Sequence, residues 1–335
     1  MSGKIDIHTH ILPPKLPDFK AKFGYGGFMG LERGWMVRDD GTRFRKVEAN
    51  LWDAKRRVVE MDKSGVSLQV LSTVPVMFNY WAKPKDGLEV ARFLNDHIGE
   101  VVADRPERFA GLGTIPLQAP KLAVKEMERC RSMLGLAGVQ IGTNVNGTNL
   151  DDPALFPIFE AAAQLGMSVF VHPWDMLAPE RMKKYWMPWL VGMPAELTLA
   201  ICSMMFSGLF TRLPKLRVAF AHGGGCFGPS FGRIEQGFKA RPDLCAVDNP
   251  MSPRAVLGRF YVDSLVHDAK LLSYLIDLFG ADRIALGTDY PFPLGETEPG
   301  RLISGMSLSP KIKERLLSGT ALEWLGKTQG VVHAH

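Results

Sequence analysis

His8-Thr9-His10 closes the apolar run Lys4-Ile5-Asp6-Ile7 near the start of the chain. On a β-strand, residues two apart face the same side, so both imidazoles can converge on one point. Neutral imidazole is a good ligand for a borderline divalent metal such as zinc. Three further signatures also end apolar runs: His172-Pro173-Trp174-Asp175, His222-Gly223-Gly224-Gly225, and Asp289 in Gly287-Thr288-Asp289-Tyr290-Pro291. His8, His10, His172 and Asp289 supply three imidazoles and a carboxylate, a set that suits one zinc ion per chain with a position left open to water. His222 is the candidate acid/base, because an imidazole with an ordinary pKa near 6.5 can accept or return the proton of a metal-activated water. A role for His222 as a fifth ligand stays open, and Asp175 either orients His172 or starts a helix. Gly223, Gly224 and Gly225 would let a ligand approach the backbone closely. A second metal is not expected, since Gly138-Val139-Gln140-Ile141-Gly142 offers no lysine as a bridge. His97 and His267, on a helix and in a loop, read as structural.

The elements that must position these residues follow from periodicity. Short apolar, β-branched runs alternate with helical segments, the pattern of a parallel sheet. Strands are predicted near 4–8, 66–72, 109–115, 138–142, 168–172, 217–222, 260–264 and 283–287. Asp53 and Asp152 are predicted helix starts, the latter followed by Pro153 in the first turn. Eight such units close into a (β/α)8 TIM barrel, whose strands all end at one mouth. An open, doubly wound sheet is the alternative. Residues 13–49 interrupt the pattern after strand one. Asp40-Gly41 there signals a hairpin between Trp35-Met36-Val37 and Arg43-Phe44-Arg45, and the segment reads as a flap over the mouth of a single domain.

Composition narrows the function classes. The 335 residues are 46% hydrophobic, with 40 basic and 35 acidic residues and a net charge of +5. The basic residues are scattered, so nucleic acid is not an expected partner, while an anionic small substrate is. No 20-residue apolar span or signal layout is apparent, so a cytoplasmic protein without membrane partners is expected. Four scattered cysteines fit reduced thiols, although Cys226 beside the glycine run could serve as a nucleophile. The tail, 327–335, is expected to be disordered.

Taken in order, these motifs resemble the metal-dependent amidohydrolase superfamily. The strings Met187-Pro188-Trp189-Leu190-Val191-Gly192-Met193-Pro194-Ala195-Glu196 and Gly287-Thr288-Asp289-Tyr290-Pro291-Phe292-Pro293-Leu294-Gly295-Glu296 look like its α-amino-β-carboxymuconate-ε-semialdehyde decarboxylase family. The likeness runs from about Ile5 to Gly326. It implies a barrel, one zinc, a homodimer, and non-oxidative loss of carbon dioxide from a small dicarboxylate semialdehyde of tryptophan breakdown. It also implies that His8, His10, His172 and Asp289 are ligands and that His222 is the acid/base. Arg45 and Arg233 would bind substrate carboxylate, Arg233 in the neighbouring subunit's site, and Trp186 and Phe292 would line the pocket. Guanidinium forks grip carboxylates bidentately, which agrees with that assignment. Three rival readings remain: a metal-dependent hydrolase of a lactone or cyclic amide, a sister decarboxylase of hydroxybenzoate-like acids, and a non-catalytic metal-binding scaffold.

Overall fold

A computed structural model describes residues 3–327; the predicted disordered tail, apart from Lys327, lies outside them. Eight parallel strands form one sheet in sequence order: β1 (Lys4–Ile11), β2 (Val66–Thr73), β3 (Phe109–Thr114), β4 (Gly138–Gly142), β5 (Ser168–His172), β6 (Arg217–Phe220), β7 (Tyr261–Asp263) and β8 (Ile284–Ala285). The ring closes between its first and last strands through Ile7 N to Leu286 O at 2.9 Å, His10 N to Tyr290 O at 2.8 Å and Asp289 N to His8 O at 2.9 Å. This is the expected (β/α)8 barrel. Strands buried on both faces read as continuous apolar runs. Val139, Ile141, Val169, Val171, Val218 and Val262 are all essentially inaccessible. Trp324 stacks edge-on against Phe170, and its carbonyl accepts from Ser168 Oγ and from Arg217 Nε at 2.7 Å.

Each strand is followed by helix. The main helices are α1 (Ala54–Ser64), α2 (Pro84–Asp104), α3 (Pro120–Ser132), α4 (Phe156–Gln164), α5 (Met193–Phe206), α6 (Phe227–Ala240) and α7 (Ala269–Phe279). Asp53 caps α1, accepting from Lys55 N and Arg56 N. Asp152 does not open α4. Its carboxylate accepts from Ala154 N in a separate turn, and the helix begins at Phe156. The stretch Pro188–Phe206 corrects the expectation that no segment has membrane-spanning length. It has 19 residues and a mean hydropathy of 1.5, but half of it is buried within the protein as α5 and the turn before it.

Between β1 and α1 lie a short helix, Phe19–Phe23, and three antiparallel strands, Gly30–Glu32, Trp35–Val37 and Arg43–Lys46. The second and third strands pair across Asp40-Gly41. Phe19, Phe28, Met36 and Leu51 form a second small core with Met77, Val90 and Phe292, which seats this segment over the barrel mouth.

Candidate metal centre and active site

His8 and His10 leave β1 toward the barrel interior, and His172 ends β5. Asp289 lies just past β8, with a left-handed backbone (φ 58°). One ligand atom from each of the four falls within 4.8 Å of all the others. The imidazole rings pack with centroids 5.0–5.2 Å apart. His10 Nε2 lies 2.9 Å and His8 Nε2 3.5 Å from Asp289 Oδ1. The Nε2 atoms of His8, His10 and His172 are all buried without a hydrogen-bond partner. Three orphaned imidazole nitrogens and a carboxylate aimed at one point fit a divalent metal ion, because buried polar atoms otherwise find partners.

The outer nitrogens of these rings are fixed. His8 Nδ1 lies 2.7 Å from Asp263 Oδ2, His10 Nδ1 3.0 Å from the Thr73 carbonyl, and His172 Nδ1 3.0 Å from the Pro173 carbonyl. Such contacts hold Nδ1–H and leave Nε2 free as the ligand. Asp263 was not singled out in the sequence. The signal was a lone acid inside the apolar run Phe260-Tyr261-Val262-Asp263, where a buried charge demands a partner. Arg57 was also missed. It is fully buried and donates to the His10 carbonyl at 2.7 Å, the Asn50 carbonyl at 3.0 Å and Gln69 Oε1 at 3.1 Å. Asp6 ties the first strand to the last through the Thr288 hydroxyl.

Charge is distributed unevenly in this cluster. Burial opposes a charged His8, but the nearby carboxylates of Asp263 and Asp289 overcome it and raise its pKa to about 10. Burial lowers His10, and lowers His172 well below its ordinary value, where the neighbouring imidazoles add to the effect. His222 is pushed down to about 4 by burial and then by His8. Burial works against an ionised Asp289, yet His10 and His8 hold it well below the usual carboxylate range.

His222 sits just beyond β6 in a tight turn at φ 52°, its ring 5.2 Å from both His8 and His172. The following glycines serve the protein's own packing. A Cβ on Gly225 would come 2.2 Å from the Pro194 carbonyl oxygen, and one on Gly223 would come 2.4 Å from Val266. Gly225 also lines the cavity into which His222 opens.

His10, His172, His222 and Asp289 open into a cavity of about 390 Å³. Its walls are largely aromatic and apolar, including Phe44, Trp174, Trp186, Trp189 and Phe292. Arg45 enters from the flap with its guanidinium 4.2 Å above the Phe292 ring. Among the described residues it makes no ion pair or hydrogen bond, and burial lowers its pKa against the opposing pull of Asp289. Arg233 lies elsewhere, exposed on α6 and outside this chain's own cavity. His97 is on α2 as expected, but His267, with φ 58°, lines the cavity, and the exposed Cys226 lines it too. Asp175 neither bonds His172 nor starts a helix.

The amidohydrolase family model matches residues 5–327. The chain belongs to the amidohydrolase family. A 2-amino-3-carboxymuconate-6-semialdehyde decarboxylase of Dictyostelium discoideum is 56% identical over 97% of this chain and 92% of its own length. The protein of the same description from Caenorhabditis elegans is 40% identical, covering 97% of this chain and 94% of its own. Among solved structures, 5-carboxyvanillate decarboxylase from Sphingomonas paucimobilis superposes with a TM-score of 0.83 at 23% identity, over 98% of this chain and 100% of that one.

Proposed function

We propose that this amidohydrolase is a zinc-dependent carboxy-lyase. It removes carbon dioxide non-oxidatively from 2-amino-3-carboxymuconate 6-semialdehyde, giving 2-aminomuconate 6-semialdehyde in tryptophan catabolism and limiting quinolinate formation. The observation that carries the reading is the pairing of the orphaned His8–His10–His172–Asp289 cluster with an unpaired guanidinium, Arg45, in one apolar cavity. The full-length likeness to decarboxylases acting on that semialdehyde supports it. His8, His10, His172 and Asp289 would hold the ion, which when bound supplies Lewis-acid activation of water and stabilises developing negative charge.

The chain's own residues do the rest. Arg45 grips a substrate carboxylate in surroundings that exclude water, where an ion pair is stronger than at the surface. Trp186 and Phe292 hold the conjugated chain between apolar walls. His222, kept neutral by burial, accepts a proton from the water that adds to the conjugated chain and returns it to the neighbouring carbon, the one that loses its carboxylate. There the bond to the carboxylate then breaks, its electron pair re-forms the double bond as the added hydroxide leaves, and carbon dioxide departs. The second carboxylate is met by Arg233 of another copy in a homodimer, since among the described residues this chain's cavity holds one arginine. Trp186, Met187, Leu190 and Val191, the first and third of which line the cavity, are exposed, an apolar surface suited to that contact.

The decisive assay follows substrate absorbance together with carbon dioxide release. His222→Ala should abolish turnover while about one metal per chain remains bound; full turnover by that variant would sink the assignment. Mixing Arg233→Ala chains with His222→Ala chains should restore activity in hybrid dimers, and absence of rescue argues against a shared site. A second reading draws on the likeness to 5-carboxyvanillate decarboxylase and on the aromatic walls. Turnover of hydroxybenzoates above that of the semialdehyde would favour it, and ring opening without carbon dioxide would favour a hydrolase.

A further inference from the structure

We propose that Glu196 is a positioning residue that locks the tryptophan-bearing loop after β5, and that this lock sets how tightly the site grips an anionic substrate. Glu196 lies on the first turn of α5 and is 3% exposed. Among the described residues it has no lysine, arginine or histidine partner. Its carboxylate instead gathers three donors. Leu177 N donates to Oε1 at 2.8 Å, while Thr143 Oγ1 and Asn144 Nδ2 each donate to Oε2 at 3.0 Å. Thr143 and Asn144 directly follow β4 and are also buried. Asn144 Nδ2 reaches on to the carbonyls of Trp174 at 3.2 Å and Asp175 at 3.1 Å. The end of one strand, the start of one helix and the loop beginning two residues past His172 are thus joined through a single carboxylate.

That loop needs holding. Asp175, Ala178, Tyr185 and Trp186 all have left-handed backbone, with φ between 49° and 59°. Outside glycine, asparagine and aspartate such conformations are strained by about 1–2 kcal/mol each, as at Ala178, Tyr185 and Trp186, and they persist where surrounding contacts over-determine them. The loop and the turn after it carry Trp174, Trp186 and Trp189 into the cavity wall. Trp174 and Trp189 pack against Phe44 with centroids 6.4 and 6.3 Å apart, and Arg45 lies 5.8 Å above Trp189. The indoles therefore buttress the flap residues that present the free guanidinium. Loosening the loop unseats Arg45 without touching the four metal-facing residues or His222.

The inference rests on the proposed decarboxylase reading for its kinetic consequence, but not for its structural one. Glu196→Gln keeps the shape and removes one acceptor. Its amide oxygen can satisfy either Leu177 N or the Thr143–Asn144 pair, and its NH2 then faces a donor. In the metal-loaded full chain, the expected result is a KM for the semialdehyde raised about tenfold, kcat within threefold of the parent, and metal content unchanged. Amide exchange across 174–187 should be markedly faster, measured without substrate. Asn144→Ala should produce the same signature, and the double variant should raise KM by much less than the product of the two. Asn144→Ala alone serves as the test if the Gln chain fails to fold. Unchanged loop exchange in both variants, or a loss confined to kcat, overturns the proposal. Failure of the parent to turn over the semialdehyde refutes the function and leaves the exchange experiment to decide the lock.

Discussion

Replacing Asp263 with Asn should cost 10–100-fold in metal affinity with the fold intact. Asp263 and His8 are both fully buried, with Asp263 Oδ2 2.7 Å from His8 Nδ1. The other oxygen is committed, accepting from Gly223 N at 2.9 Å and Leu265 N at 3.1 Å. In the variant the amide oxygen must keep those two backbone donors, so the amide NH2 is turned toward His8 Nδ1. Two donors then oppose each other unless Nδ1 sheds its proton. In a neutral ring that proton moves to Nε2, the nitrogen facing Asp289 and the shared centre, where it blocks ligation. Loss of a carboxylate behind a metal-binding imidazole ordinarily weakens binding 10–100-fold, about 1.4–2.7 kcal/mol. A competition titration of metal-free protein against a chromophoric chelator reads this directly, with circular dichroism confirming that the variant is folded. An affinity within a factor of two of the parent would show that Asp263 does not set the His8 tautomer, and the reasoning about orphaned Nε2 atoms would weaken with it.

Three further outcomes follow from the same geometry. Chelating the metal should abolish activity and lower thermal stability. Adding zinc back at about 100 times its dissociation constant should restore about 2.7 kcal/mol, read as a concentration-dependent Tm. Arg57→Met should destabilise the protein by about 2–4 kcal/mol in urea unfolding, because it strands the His10 and Asn50 carbonyls and the Gln69 amide oxygen in the interior. Asp175→Asn should stabilise by less than about 1 kcal/mol at pH 7.5, since this partly exposed carboxyl is held above its usual range by surrounding protein and by Glu196. The folded chain there disfavours the ionised form. The gain should therefore be full above the folded pKa, shrink as pH falls through it, and vanish below the ordinary carboxylate range near 3.9. A Tm difference growing toward acid would contradict that sign.

The barrel and the His8–His10–His172–Asp289 cluster were legible for a common reason: a strand has a period of two and an end. His8, His10 and His172 each close an apolar run, so their direction and height in a parallel barrel follow from sequence spacing alone. What escaped depends on contacts between runs. Asp263 gains its role from His8, 255 positions away in the chain, and Arg57 gains its role from the carbonyl of His10. No local period encodes either pairing, and the available clue was energetic, a charge standing where none can be solvated. The short final strands were over-extended for a related reason. His222 and Asp289 look like strand ends, yet both leave the sheet with left-handed backbone, which carries these side chains beside the cavity. Departure from regular backbone is thus concentrated where the chemistry is, and a reading built on regularity loses resolution there first. The loop after β5, with four left-handed residues, Asp175, Ala178, Tyr185 and Trp186, is the extreme case. Its conformation is held by a buried carboxylate on the next helix and two polar side chains beyond the preceding strand, so its shape belongs to the assembled barrel and not to its own sequence.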